Sequence, residues 1–284
     1  MKEYRLGLYE KSMPNTLTVA EKLSEAKAAG FDYLELSIDE SDAKLARLDW
    51  SREEISALRQ AQLDLDMPIS SICLSGHRKY PLGHPDPAIQ AQSMEIMKKA
   101  INLAVQLDVR VIQLAGYDVY YEPSTPQTRA DFAKNLAKCV HMAARQGVIL
   151  GFETMETPFL NTVTKAMHWV NRMASPYLQV YPDIGNLTNA AVQYESDVYQ
   201  DLLAGAGHLA AVHLKETTPG VFREVPFGTG HVDFTTLAPL ARKMGVGMFV
   251  GECWYTGQEN WREILRFNNQ FLREALENPA PNLL

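Results

Sequence analysis

Val148-Ile-Leu-Gly-Phe-Glu153, Leu178-Gln-Val-Tyr-Pro-Asp183, Leu209-Ala-Ala-Val-His213 and Val246-Gly-Met-Phe-Val-Gly-Glu252 are four short apolar runs, each ending on an acidic or imidazole side chain. They follow one another at regular intervals. Read as successive strands of a parallel sheet, they bring Glu153, Asp183, His213 and Glu252 to its carboxyl edge, where α/β proteins build their sites. Each residue alone has an ordinary reading as a loop cap or ion-pair partner, so the argument rests on all four recurring at one edge.

Outward from these runs, short aliphatic segments alternate with longer amphipathic ones along the whole chain, the pattern of repeated βα units. Eight strands are predicted: Arg5–Tyr9, Tyr33–Ile38, Ile69–Leu74, Val109–Leu114, Val148–Phe152, Leu178–Pro182, Leu209–Leu214 and Val246–Gly251. Helical periodicity covers Thr18–Ala29, Arg52–Leu65, Ala88–Gln106, Arg129–Arg145 and Asn260–Glu277. Asp49 or Ser51 is expected to cap the second of these, and Asp131 lies near the start of the fourth. Gly30, Gly147 and Gly245 stand where helices should end ahead of strands. No linker divides the chain, so residues 1–284 are expected to form one α/β domain, a single (β/α)8 TIM barrel. A doubly wound open sheet is the structural alternative.

Composition narrows the function classes. With 46% hydrophobic and 21% charged residues the chain is ordinary globular material. A formal net charge of −7 offers no basic field for a phosphate backbone, so no nucleic-acid partner is expected. Cys73, Cys139 and Cys253 are too few and too widely spaced for a disulfide framework or a thiolate metal site, which favours a reducing cytoplasm. No stretch resembles a signal peptide or membrane helix, and no membrane partner is expected.

Three carboxylates and one imidazole suit a hard or borderline divalent cation such as Zn²⁺, Mn²⁺, Co²⁺ or Mg²⁺, with positions left for a substrate. Such a Lewis acid, chelated by the carbonyl and neighbouring hydroxyl of a sugar, acidifies the intervening C–H and stabilises the enediolate. Glu153 and Glu252, on opposite sides of that carbon, can act as base and acid. The net result is epimerisation.

Longer motifs sharpen this reading. Leu8-Tyr-Glu-Lys, Leu48-Asp-Trp-Ser-Arg-Glu, Cys73-Leu-Ser-Gly-His-Arg-Lys-Tyr-Pro-Leu-Gly, Val111-Ile-Gln-Leu-Ala-Gly-Tyr-Asp-Val-Tyr-Tyr, Tyr181-Pro-Asp-Ile-Gly-Asn-Leu, Val212-His-Leu-Lys and Pro219-Gly-Val-Phe-Arg-Glu-Val-Pro-Phe-Gly-Thr-Gly resemble the bacterial L-xylulose-5-phosphate (L-ribulose-5-phosphate) 3-epimerases. These belong to the xylose-isomerase-like barrel superfamily. The resemblance runs from about Leu6 to Glu252. It implies interconversion of L-ribulose 5-phosphate and L-xylulose 5-phosphate in L-ascorbate or related pentose breakdown. It also implies one divalent metal ion held by Glu153, Asp183, His213 and Glu252, with the two glutamates moving the proton on carbon 3. The chain departs from the family pattern in three places. Glu153-Thr-Met-Glu156 lengthens the acid expected at Glu156, Asn186 stands where epimerases of free ketohexoses carry histidine, and Cys253 replaces a methionine after Glu252.

A phosphosugar also needs donors on the same rim. Lys11, His77, Arg78, Lys215, Thr217 and Thr218 all lie just beyond strand ends and form the pool of phosphate ligands, with Glu156 and Asn186 as candidate sugar contacts. Phe227-Gly-Thr-Gly is either a backbone approach to the ligand or a plain turn. Tyr117, Tyr120 and Tyr121 either line the mouth of the site or serve subunit contacts. His84, His141, His168 and His208 are expected to lie away from the site, and His231 to open a helix. Barrels of this type often pair, so a homodimer is entertained. The nearest alternative is an epimerase or isomerase of an unphosphorylated ketose. More distant alternatives are an endonuclease-type metal-dependent phosphodiesterase, which needs more histidines and a basic groove, and a non-catalytic metal- or sugar-binding barrel.

Overall fold

Residues 3–279 are described by the computed structural model of the protein. Its strands are β1 (Arg5–Tyr9), β2 (Tyr33–Ile38), β3 (Ile69–Leu74), β4 (Val111–Ala115), β5 (Ile149–Glu153), β6 (Leu178–Tyr181), β7 (Val212–Leu214) and β8 (Met248–Gly251). They pair in parallel in the order β6-β5-β4-β3-β2-β1-β8-β7. Between β6 and β7 the ladder is reduced to isolated bridges, Val180 to Leu209 and Asp183 to His213, with His213 N donating to Pro182 O at 2.9 Å. These bridges all but close the ring, giving the expected (β/α)8 barrel.

The helices are α1 (Val19–Ala28), α2 (Asp42–Leu45), α3 (Arg52–Leu65), α4 (Pro87–Gln106), α5 (Pro126–Gln146), α6 (Val163–Met173), α7 (Ile184–Tyr194), α8 (Val198–Leu203), α9 (Phe234–Lys243) and α10 (Trp261–Glu277). Strand periodicity of two splits the core. Leu34, Leu36 and Ile38 of β2 join the large cluster packed with the helices, while Tyr33 joins Tyr9, Cys73, Val111, Tyr181 and Val250 in a separate one. Each fully buried aliphatic side chain contributes about 1.5–3 kcal/mol of transfer free energy. Gly7 leaves room for Tyr33, since a Cβ there would lie 2.4 Å from the ring.

Several boundaries differ from the sequence reading, each for a local reason. Ser51 caps α3 through a reciprocal bond with Glu54, whereas Asp49 turns to Lys99 at 2.6 Å. The fourth predicted helix begins at Pro126 rather than Arg129, because Thr125 accepts from Thr128 N and proline suits the first helical position. Asp131 therefore lies inside α5. The Val109 N–H closes the end of α4 on Ala104 O, which delays β4 to Val111. His231 precedes α9, whose cap is Asp233.

Candidate metal and substrate site

β5, β6, β7 and β8 deliver Glu153, Asp183, His213 and Glu252 to one buried cluster, in which one ligand atom from each lies within 4.8 Å of all the others. From His213 Nδ1 the carboxylate oxygens of Glu252, Glu153 and Asp183 lie at 2.9, 3.2 and 3.9 Å. Asp183 serves two purposes, since its Oδ1 caps α7 by accepting from Asn186 N at 2.7 Å. Its Oδ2 faces Lys215 Nζ at 3.1 Å, and Oε2 of Glu252 faces His213 Nδ1 at 2.9 Å. Bonds of about 2.1 Å to a central cation place neighbouring ligand atoms roughly 3.0–3.4 Å apart, close to the separations around His213 Nδ1. A donor set of three buried carboxylates and one imidazole at such spacing fits a divalent cation.

Two buried residues that the sequence reading did not single out support this cluster. Glu35 of β2 accepts from His213 Nε2 at 2.6 Å, and its other oxygen accepts from Ser71 Oγ at 2.7 Å and Tyr181 Oη at 2.8 Å. This anchors the imidazole so that Nδ1 is the nitrogen facing the carboxylates. Gln113 of β4 donates to Glu153 Oε2. The signal for both was present as a charged or amide side chain within an otherwise apolar strand.

Electrostatics follow from this crowding. Burial, and then the charge of Glu252, pushes the Glu153 carboxyl up. Burial also drives Asp183 well up, against the pull of Lys215. For Glu252 burial is outweighed by Lys215 and then His213, which hold it well below the usual carboxylate range. Burial would lower His213, but Glu35 and then Glu252 raise it well above an ordinary imidazole. Lys215 Nζ lies 3.1 Å from Asp183 and 3.6 Å from Glu252, and the ammonium stays charged despite full burial.

A narrow cleft of about 50 Å³ opens over the cluster, lined among others by Glu153, Glu252, Lys11, Arg78, Glu156, Asn186, Lys215 and Arg223. Larger hollows of about 460 and 610 Å³ elsewhere contain none of the four cluster residues. Lys11 reaches the cleft paired with Asp39. The structure takes the other rim candidates out of the lining. His77 is 3% exposed, bonds Ser93 O at 3.1 Å, and burial pushes its imidazole down to about 4. Thr217 is fully buried and donates to Gly185 O at 3.1 Å, and Thr218 forms a turn bridge to Val221. The Phe227–Gly230 turn wraps the chain's own Glu216, whose carboxylate accepts from Gly228 N at 3.0 Å and Val232 N at 3.1 Å. Cys253 faces away as well, accepting from Asn268 Nδ2 at 3.2 Å.

Comparison with known proteins places this geometry. Residues 23–275 match the xylose isomerase-like TIM barrel family. The chain is 46% identical over 260 residues to the L-ribulose-5-phosphate 3-epimerase UlaE of Salmonella paratyphi A, covering 91% of this chain and 90% of that protein. The enzyme of the same name from Salmonella typhimurium matches at the same identity and coverage. Among solved structures, D-allulose 3-epimerase from Methylomonas sp. in complex with D-allulose superposes with a TM-score of 0.79 at 17% identity, over 96% of this chain and 97% of that one. An L-ribulose 3-epimerase gives 0.78 at 20% identity, over 96% and 95%. At these low identities the two structures speak for the barrel alone. The sequence relatives are far nearer, and by them the chain belongs to the xylose isomerase-like TIM barrel family and, within it, to the L-ribulose-5-phosphate 3-epimerases, enzymes of the isomerase class.

Proposed function

We propose that the protein interconverts L-ribulose 5-phosphate and L-xylulose 5-phosphate by moving the proton on carbon 3, with Glu153 and Glu252 as the acid–base pair. The observation that carries this reading is the meeting of these two glutamates, from β5 and β8, in one buried cluster beneath one cleft. Glu153, Asp183, His213 and Glu252 are the residues that would hold one divalent cation. When bound, the cation supplies Lewis-acid polarisation of the ketose carbonyl.

The chain's own groups account for the rest. One glutamate takes the carbon 3 proton and the other, entering as the acid, returns a proton on the opposite face. Each turnover therefore leaves the enzyme's proton count unchanged and swaps which glutamate is protonated, the starting state being restored by the reverse turnover or by proton exchange with solvent. Lys215 offsets negative charge beside Asp183 and Glu252. Trp254 and Tyr9 pack edge to face beside the site, with ring centroids 6.3 Å apart, and limit water. Asn186 Oδ1 is buried without a partner and is available to a sugar hydroxyl. This reading takes residues 1–284 as one domain working in the cytoplasm, in L-ascorbate or related pentose breakdown. In keeping with it, no helix among the described residues is long and apolar enough to cross a membrane. Pairing into a homodimer is checked by sedimentation.

The test is proton NMR of metal-loaded protein with L-ribulose 5-phosphate in deuterated water, beside the same incubation with L-ribulose. Deuterium entering at carbon 3 as L-xylulose 5-phosphate appears is the expected result. Faster exchange in the free ketose moves the assignment to an unphosphorylated substrate, and exchange in neither overturns the proton-transfer reading.

A further inference from the structure

We infer that the amino-terminal pole of the barrel carries a second ligand site, which takes a small organic anion with a carboxylate or phosphate head and an apolar body. The hollow of about 460 Å³ lies at this pole, between the ends of α3 and α4 and the starts of β1, β3, β4 and β8. Glu153, Asp183, His213 and Glu252 gather at the opposite, carboxyl ends of the strands. An occupant of the hollow therefore does not compete with a sugar for the cleft. The volume falls within the range of about 300–1,000 Å³ that holds small organic ligands.

The head group is read from the arginines. Arg5, Arg59 and Arg110 all line the hollow. The carbonyl ends of helices favour cations, so an arginine at this pole has an ordinary structural use. Arg59 is spent in that way, donating to Gln106 O at 2.8 Å and to Asp108 Oδ2 at 2.9 Å. Asp66, the other acid of the lining, pairs with Lys27 at 3.2 Å. Both carboxylates are thus already neutralised. Arg5 has only the hydroxyl of Ser70, at 3.2 Å, and the face of Tyr33, 5.3 Å from the ring centroid. Arg110 makes no side-chain hydrogen bond or ion pair among the described residues.

Strand register brings these two together. Ser71 pairs with Val111, so Arg110 enters β4 beside Ser70, the residue that Arg5 reaches from β1. Two guanidiniums without a counter-ion and one hydroxyl make a donor set for a carboxylate or phosphate, whose paired oxygens match the planar fork of arginine. The body of the ligand is read from the wall. Leu63 is 74% exposed at the edge of the hollow, and Leu107 and Met248 continue the apolar lining. A bare inorganic ion leaves that surface in water, whereas an organic anion covers it.

The experiment is methyl NMR of the full-length protein carrying 13C-labelled methionine, with resonances assigned by single Met→Leu substitutions. Met248 and Met67 line the hollow and Met155 lines the cleft, so one spectrum separates the two poles. The probes are phenyl phosphate, benzoate and neutral benzyl alcohol. Saturable shifts at Met248 with either acid, at a dissociation constant below about 1 mM, are the expected result, and the tighter acid identifies the head group. Benzyl alcohol at the same concentrations is expected to leave Met248 unmoved. Arg110→Gln should weaken the acid roughly tenfold, as the loss of charge-assisted hydrogen bonds requires, without moving the Met155 resonance. Shifts confined to Met155, or none that saturate at Met248, overturn the site. Equal binding of benzyl alcohol, or unchanged affinity in Arg110→Gln, overturns recognition of the anion by these arginines.

Discussion

His213 Nε2 lies 2.6 Å from Glu35 Oε1, a contact that joins β7 to β2 across the barrel interior and leaves Nδ1 as the nitrogen facing three carboxylates. Glu35 is itself fully buried and held by Ser71 and Tyr181. Ring orientation is therefore decided by a residue that does not belong to the cluster.

Glu35→Gln keeps the shape but weakens this orientation. Metal affinity is expected to fall about 10- to 100-fold, the usual cost of losing such a supporting carboxylate. Competition with a chelator measures it, with circular dichroism confirming the fold. Unchanged affinity would show that the imidazole is held by its packing alone.

Glu252→Gln and Glu153→Gln separate proton transfer from cation binding, because an amide oxygen can still coordinate but cannot take a proton. Carbon 3 exchange should fall by about 10²–10⁴ in each while bound metal, read by elemental analysis, persists at saturating cation. Retained exchange in either variant removes that glutamate from the acid–base pair.

Cation binding should also report on stability. Three buried carboxylates share the site with one imidazole, so a cation that binds only the folded chain raises the melting temperature by mass action. A cation at 100 times its dissociation constant adds about 2.7 kcal/mol. Thermal shift after chelation, and after readdition of Mn²⁺, Co²⁺, Zn²⁺ or Mg²⁺, gives the comparison. Asp183→Asn should abolish most of the shift.

Acid sensitivity is expected from a different group. Glu10 is fully buried among Lys22, Lys44 and Arg47; burial alone would raise its carboxyl, but Arg47 and then Lys44 outweigh it and hold it at about 2. Lys44 responds in the opposite sense, burial pushing its ammonium down to about 8 in spite of Glu10. The acid limb is thus set by the carboxylate. A folded-state value below the unfolded one gives stability that is present above about pH 4.5 and lost as pH falls toward 2. The shift is worth on the order of 3 kcal/mol. Urea midpoints at pH 7 and pH 3 should differ more in wild type than in Glu10→Gln, which is itself less stable at pH 7 because three cations lose their counter-charge.

The legible parts of the molecule are those where local pattern and tertiary role coincide. β1, β2 and β3 begin and end where their apolar runs do. The carboxyl-edge positions of Glu153, Asp183, His213 and Glu252 follow from strand polarity alone. Arg223 was less visible, because it lies nine residues beyond β7 in a long loop whose path no periodicity describes. His77 and Arg78 are neighbours of like chemistry, yet one turns into α4 and the other into the cleft.

By itself the sequence determined the eight βα units, their order and the four side chains at one rim, because periodicity and strand polarity are properties of the covalent chain. Only the tertiary structure decided that Glu35 orients His213, that Thr217 is spent on Gly185, and that Arg223 pairs with Glu156. Those relations join residues 32 to 178 positions apart. Direction and distance between such groups come into being only when the barrel closes and side chains compete for the same buried space.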